Sequence, residues 1–131
     1  MQEFFKLRAL LSGLLLVVLL TSGCQSGSER YHLSGSVTYK GTPVPRGLIV
    51  FTPVEQGGLQ GSPAFAKISN GRFDTSVDGE GHFGGVQDLM ISGFDGENVT
   101  EDAPMGGVLF ATMTVRKTLP ASTSQMDLVL P

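Results

Sequence analysis

Residues 31–53 read YHLSGSVTYKGTPVPRGLIVFTP and contain most of the information about the fold. Apolar and polar residues alternate from Tyr31 to Lys40, and this period of two indicates a half-buried β-strand. The predicted inward face consists of Tyr31, Leu33, Gly35, Val37 and Tyr39. Pro43 and Pro45 each remove a backbone donor, so the connection at 41–47 cannot be a central strand. The stretch from Leu48 to Thr52 is apolar on both faces, which predicts a buried strand ending at Pro53.

A β-hairpin is predicted next along the chain. Ala64 to Ser69 alternates, with Ala64, Ala66 and Ile68 on one face and Phe65 and Lys67 on the other. Asn70 and Gly71 both tolerate positive φ, so they predict a tight turn, and Arg72 to Thr75 forms the returning strand. The preceding stretch, Val54 to Pro63, contains three glycines and is predicted to be a flexible loop.

Three further strands are predicted, separated by a glycine-rich loop at 78–85 and an acidic loop at 95–107. In the strand 86–94, Leu89 and Ile91 oppose Val86, Met90 and Phe94. In the strand 108–115, Leu109, Ala111, Met113 and Val115 oppose Phe110, Thr112, Thr114 and Arg116. In the closing strand 125–130, Met126, Leu128 and Leu130 face inward. Six or seven short strands without helical periodicity predict an all-β sandwich or small barrel.

Composition agrees with a β-protein and argues against nucleic-acid binding. The chain has 18 glycines and 7 prolines among 131 residues, which suits many turns. Its net charge is −3 at pH 7, and it contains no basic block. A weakly acidic domain of this kind is a poor ligand for phosphate backbones, so no nucleic-acid partner is expected.

The N-terminus has the pattern of a lipoprotein signal peptide. Lys6 and Arg8 precede an apolar run from Ala9 to Leu20, which is shorter than the roughly 20 residues of a membrane span. The following residues, Leu20-Thr21-Ser22-Gly23-Cys24, resemble the bacterial lipobox, with Thr21 in place of the commonest Leu. Cys24 is the one cysteine in the chain. The pattern predicts a signal helix at 1–23 and a covalent lipid on Cys24; an ordinary signal peptide or an uncleaved anchor are the alternatives.

Residues 24–30 are predicted to be the lipidated cysteine and a polar tether. Six extended residues reach about 20 Å, so the domain at 31–131 would lie close to the lipid surface. Gln25 follows the cysteine, and resemblance to enteric lipoproteins then implies the periplasmic side of the outer membrane rather than the inner membrane. No cofactor besides the lipid on Cys24 is expected.

The run from Leu33 to Pro53, with its glycine–proline turn and its Phe51-Thr52-Pro53 ending, resembles the opening of carboxypeptidase-regulatory-like, transthyretin-like domains. Asn70-Gly71-Arg72-Phe73 is similar to the hairpin of that family. More narrowly, Ile91 to Gly96 and Leu109-Phe110 resemble small lipoproteins of planctomycete-type bacteria. The resemblance implies one seven-stranded prealbumin-like sandwich over 31–131 and no catalytic residue. One transthyretin-like enzyme, hydroxyisourate hydrolase, ends in Tyr-Arg-Gly-Ser, and the ending Asp127-Leu128-Val129-Leu130-Pro131 argues against it.

Two acidic loops are the candidate metal sites. Asp78, Glu80 and His82 alternate within the glycine-rich loop and could offer two oxygens and a nitrogen to a metal. Three solvated side chains on a flexible loop are the favoured interpretation. The second loop has oxygen-bearing side chains that could bind Ca²⁺, although their spacing matches no EF-hand; they are Asp95, Glu97, Asn98, Glu101 and Asp102.

The remaining candidate side chains favour no chemistry. His32 is predicted to be a surface histidine, and the chain has no tryptophan to form a sugar platform. Phe83 and Phe94 are the candidate aromatic contacts for a glycan. The sequence therefore predicts a non-enzymatic structural or protein-interaction module of the cell envelope. Its edge strands or loops would contact another envelope protein, and strand addition is one way to do so. The alternative is a ligand-binding module for a glycan or divalent metal at 78–85 or 95–102.

Overall fold

The computed structural model of the chain describes residues 29–54 and 62–131, and within these ranges every regular element is a β-strand. The strands are β1 (Leu33–Tyr39), β2 (Thr42–Pro43), β3 (Arg46–Pro53), β4 (Ala64–Ser69), β5 (Arg72–Asp74), β6 (Gly85–Phe94), β7 (Val108–Leu119), β8 (Ser124–Gln125) and β9 (Leu128–Leu130). None of the described residues forms a helix able to cross a membrane. The predicted signal peptide at 1–23, Cys24 and most of the loop at 54–63 lie outside the described residues.

The strands form a curled sheet in the order β2-β1-β5-β4-β3-β6-β7, and all pairs along this path are antiparallel. The short strands β8 and β9 both pair with β1 in the parallel direction. The all-β prediction is confirmed. The finer prediction of a prealbumin-like sandwich stays a prediction.

One hydrophobic core fills the inside of the curl. It receives side chains from β1, β3, β4, β5, β6, β7 and β9, led by Leu33, Ile49, Phe51, Leu89 and Ile91, which are fully buried. The rings of Tyr39 on β1 and Phe110 on β7 lie 4.6 Å apart, so the two ends of the sheet meet across the core. Burial of these apolar side chains is the main stabilising contribution to the fold.

The first strand and the hairpin agree with the prediction. In β4, Ala64, Ala66 and Ile68 are buried while the residues between them are exposed. Asn70 and Gly71 have φ of 51° and 74°, as the tight turn requires. Pro43 lies in the two-residue strand β2, which is compatible with its missing donor.

Two predictions about strand faces are wrong. In β3, Ile49 and Phe51 are buried, but Leu48 and Val50 on the other face are only half-buried, because no described element covers that side of the sheet. In β7, the register against β6 shifts twice between positions 108 and 113. These irregularities change which side chains face inward, so Phe110 is buried whereas Leu109 is 38% exposed.

Candidate functional site

The structure does not bring the three candidate metal ligands of the glycine-rich loop together. Asp78 is exposed, and its carbonyl accepts a hydrogen bond from the backbone of Lys67. The side chain of Glu80 is exposed and lies 3.5 Å from Arg30. His82 is instead 1% exposed and faces the core. Within residues 29–54 and 62–131, no three His, Cys, Asp or Glu side chains converge as metal ligands would.

The prediction that His82 is solvated is wrong, because backbone hydrogen bonds hold the loop against Tyr31, just before β1. Tyr31 and His82 exchange two backbone hydrogen bonds of 2.8 and 3.0 Å. This pairing places the imidazole between the rings of Tyr31 and Phe51, at 6.1 and 6.4 Å between centroids. The alternation of charged residues with glycines gave no signal of this burial.

The His82 ring is held in its neutral form. The amide of Gly84 donates to Nδ1 at 2.9 Å, which places the ring proton on Nε2. Nε2 itself is buried and has no hydrogen-bond partner among the described residues. Burial lowers the pKa of His82, and the charge of His32 lowers it further. The ring therefore packs into the core beneath the loop and is not an exposed acid–base group.

Arg30 fixes the point where the predicted tether meets the domain. Its guanidinium donates to the carbonyl of Gly81 at 3.0 Å and lies over the ring of Phe83, 4.6 Å from the centroid. Phe83 is therefore a half-buried partner of Arg30 and not a free aromatic platform. Phe94, the other aromatic candidate, is also half-buried, at the end of β6.

Hydrogen bonds to Asp95 hold the acidic loop together, but the carboxylates of the loop do not converge. One oxygen of Asp95 accepts hydrogen bonds from the amides of Glu97 and Gly107, at 2.8 and 2.7 Å, and so ties the two ends of the loop. Its other candidate ligands are exposed side chains, namely Glu97, Asn98, Glu101 and Asp102. The loop thus presents a solvated acidic surface.

A shallow polar groove of about 350 Å³ crosses the outside of β1, β5 and β4. Its lining residues are Ser34, Lys67, Ser69, Arg72, Phe73, Asp74, Val77, Asp78 and Gln125. Phe73 is almost fully buried, so the groove offers no exposed aromatic ring. The exposed His32 lies close by and hydrogen-bonds Thr75, as expected for a surface histidine. The groove can make polar contacts but lacks the stacking surface that sugars use.

An apolar row crosses the outside of the sheet at β4, β3 and β6. Val50 is paired in register with Phe65 on one side and with Met90 on the other. Phe65 and Met90 remain 37% and 44% exposed. The sequence did carry a signal for this surface, since the two-sided apolar pattern of β3 requires a second apolar face somewhere.

The long edge strand β7 is a second candidate surface, and the sequence could not reveal this one. Among the described residues, β7 pairs only with β6. Arg116 points to the outside of the sheet and forms a two-pronged ion pair with Asp88, at 2.7 and 2.9 Å. This hydrogen bonding lowers the pKa of the Asp88 carboxyl and raises that of the Arg116 guanidinium. Lys117 lies on the opposite face, in register with the buried Gln87.

Comparisons with known proteins do not assign the chain to a family. No protein-family model and no curated protein matches it. A solved structure that does match is that of a DUF3823 family protein from Parabacteroides merdae, with 17% sequence identity and a TM-score of 0.44. The match covers 79% of this chain and 46% of that one, so the chain spans about half the length of its structural neighbour.

Proposed function

We propose that this protein is a lipid-anchored component of the cell envelope whose β-domain is a non-enzymatic module for protein interaction. The observation that supports the interaction role best is the outer edge of β7, which pairs with no residue in the described part of the chain. From Met113 to Leu119 this strand keeps a regular register against β6. A regular edge strand presents alternate N–H and C=O groups that an extended segment of another protein can pair with.

The charges on β7 favour an acidic partner strand over a second copy of β7. Arg116 is paired with Asp88, whereas Lys117 forms no ion pair with a described residue and so carries the uncompensated charge of this edge. Charged side chains at an edge discourage pairing between identical strands. A partner segment with carboxylates opposite Lys117 would relieve this repulsion and add a favourable cross-strand pair.

The buried polar side chains support a non-enzymatic role for the module. Among the described residues, His82 is the one ionisable side chain that is fully buried. It faces the core, its Nδ1 accepts from the amide of Gly84, and its Nε2 has no hydrogen-bond partner among the described residues. Active sites more commonly combine several perturbed groups in a cleft.

Anchoring is proposed from the leader and from Cys24, with the periplasmic side of the outer membrane as the location. It is tested by fractionating membranes and measuring the mass of the N-terminal peptide, for the wild type and for Cys24→Ala. We expect a lipid-modified Cys24 in the membrane fraction and no lipid on the variant. A wild-type protein that is unmodified and released would contradict the anchor.

The interaction role is tested by photo-crosslinking in intact cells. A photoreactive amino acid at Thr118, on β7, is expected to give a discrete crosslinked protein, and the same group at Val129, on β9, is not. Lys117→Glu should reduce the product several-fold because it repels an acidic partner strand. Lys40→Glu, in the turn after β1, is the matched charge control. Equal products at positions 118 and 129 would contradict the proposal.

Binding of a glycan or divalent metal is the second candidate function, and the polar groove beside Asp78 is the observation that favours it. Calorimetry with Ca²⁺, Zn²⁺ and a panel of envelope oligosaccharides tests this role. Saturable heat that disappears in Asp78→Asn would support it. Heat that is unchanged in that variant, or no heat with any of these ligands, would contradict a site at the groove.

A further inference from the structure

The outside of the sheet at β3, β4 and β6 combines an apolar centre with a basic border. We call it the outer sheet face and define it by Leu48, Val50, Phe65 and Met90, with Arg46 and Lys67 beside them. Lys67 is in register with Leu48, and Arg46 lies two residues before Leu48 on the same face of β3. Neither cation forms an ion pair with a described residue.

The charge of this face is opposite to that of the whole protein. Arg46 and Lys67 lie on this face, but Asp78 lies beside Lys67 in the polar groove, and Glu80 is paired with Arg30. The face therefore carries only a small positive charge, whereas the chain as a whole carries a net charge of −3. Arg116 on β7 forms an ion pair with Asp88, so this pair adds no net charge to the face. An apolar centre with basic residues around it is the arrangement that binds anionic lipid surfaces.

The N-terminal tether meets the domain beside this face. The backbone amide of Glu80 donates to the carbonyl of Phe65 at 2.8 Å. Arg30 in turn contacts Glu80 and the carbonyl of Gly81. Arg30 is therefore one short segment away from the strand that carries Phe65 and Lys67. Arg30 is the sixth residue after Cys24, and six extended residues span about 20 Å.

The size of the apolar row argues for a lipid surface over a second copy of the chain. A stable protein interface usually takes about 800 Å² from each partner. Phe65 and Met90 are less than half exposed, and Leu48 and Val50 are only half-buried, so the row is much smaller than that. A weak contact suffices when an anchor already holds the domain at the surface, because the effective concentration is high.

We propose that the outer sheet face lies against the anionic lipid surface of the membrane that holds the protein. This inference rests on the proposed lipid anchor at Cys24, which brings the domain within reach. In this orientation β7 keeps its lateral edge free for a partner protein. It also accounts for a central strand, β3, that is apolar on both faces.

The orientation is tested on the lipid-modified full chain, reconstituted in vesicles that contain a nitroxide-labelled lipid as quencher. Cys24 is the one cysteine, and its sulfur carries the lipid, so an introduced cysteine is the single thiol open to a fluorescent label. The label is placed at Met90→Cys on the outer sheet face or at Val129→Cys. Val129 is 77% exposed on β9, which pairs with β1 across the core from β7.

In vesicles of phosphatidylethanolamine and phosphatidylglycerol, we expect several-fold stronger quenching at position 90 than at position 129. The difference should shrink in vesicles of phosphatidylcholine alone and in the double variant Arg46→Glu, Lys67→Glu. The double variant Lys40→Glu, Lys117→Glu makes the same change in total charge away from this face and should keep the difference.

The possible failures are distinguishable. A protein without lipid on Cys24 would not float with the vesicles, which overturns the anchor and this inference together. A protein that floats with equal, weak quenching at both positions keeps its anchor and overturns only the orientation. Self-association through position 90, seen as excimer fluorescence of a pyrene label there, would overturn it in favour of a second copy of the chain.

Discussion

At the scale of single residues, the close approach of two backbone segments decides which side chain a position can accept. Gly35 lies in the middle of β1, where the segment after β8 passes directly over it. A Cβ at Gly35 would collide with the backbone carbonyl of Met126. Met126 is held there by a hydrogen bond of 2.9 Å from its amide to the carbonyl of Ser34. The glycine is therefore required by contact and not by a turn.

Gly35→Ala should lower the free energy of unfolding by about 2–4 kcal/mol, because backbone must move to make room. The matched control is Gly41→Ala. Gly41 has φ of 81° and no atoms near its missing Cβ, so alanine there should cost only about 1 kcal/mol of backbone strain. Urea denaturation of both variants measures the difference. Equal losses would show that the Met126 contact is not limiting.

At the scale of one element, β6 separates two kinds of interaction on neighbouring residues. Leu89 faces the core and is fully buried. Asp88 faces outward and pairs with Arg116 at the surface. Apolar burial and a solvated ion pair differ greatly in their contribution to stability, so adjacent substitutions should have very different effects.

Leu89→Ala should reduce the free energy of unfolding by about 2–5 kcal/mol, because it leaves a cavity in the core. Asp88→Asn should leave the denaturation midpoint almost unchanged, since water replaces the lost pairing with Arg116. Chemical denaturation followed by circular dichroism checks both variants. A large loss for Asp88→Asn would mean that the ion pair, and not the core, orders this strand.

Elements that depend on local sequence could be predicted, whereas their long-range partners could not. The hairpin from β4 to β5 follows from alternation and from Asn70-Gly71. The register shifts in β7 leave no mark on its pattern of apolar residues, and they moved Leu109 to the surface. The parallel pairing of β9 with β1 depends on contacts across most of the domain. It therefore cannot be derived from either strand alone.

At the scale of the whole molecule, His82 makes stability depend on pH. In the unfolded chain a histidine takes up a proton as the pH falls below about 6.5. The folded ring resists that proton, because burial lowers its pKa. The unfolded state then binds more protons, so the free energy of unfolding should decline below about pH 6.5 until the lowered pKa of the folded ring is reached.

Thermal or urea denaturation between about pH 7 and pH 4 measures this decline. His82→Asn should flatten the upper part of the curve, because asparagine can still accept from Gly84 and does not titrate. His32→Asn removes the exposed histidine and should retain most of the decline. A wild-type curve that is flat through pH 6 would contradict the assignment of a neutral, buried imidazole.

The surface carboxylates belong to a different part of the same curve. Hydrogen bonds from Ser76 and Ser36 lower the pKa values of Asp74 and Asp127 respectively. Their contribution is present above the ordinary aspartate pKa of about 4 and disappears as the pH falls below it. The two windows separate the effect of His82 from that of the carboxylates.

The candidate surfaces could be predicted only in part, for the same physical reasons. The two-sided apolar pattern of β3 indicated a strand covered on both faces, and the structure covers one. The position of Arg30 beside the strand of Phe65 depends on the pairing of Tyr31 with His82, which no local pattern encodes. The position of β7 at the edge, without a second partner among residues 29–54 and 62–131, follows from the order of strands in the sheet, which local sequence patterns do not encode.

The parallel pairing of β8 and β9 with β1 has a consequence for the order of folding during synthesis. A chain made from its N-terminus exposes β1 first, yet one side of β1 stays unpaired until β9 has emerged. Val37 pairs with Leu128, which is far away in the sequence. Such contacts are slow to form, because a long loop must close first. The domain therefore completes its core only late in synthesis. Until then the nascent chain is not fully folded and can pass through a narrow pore.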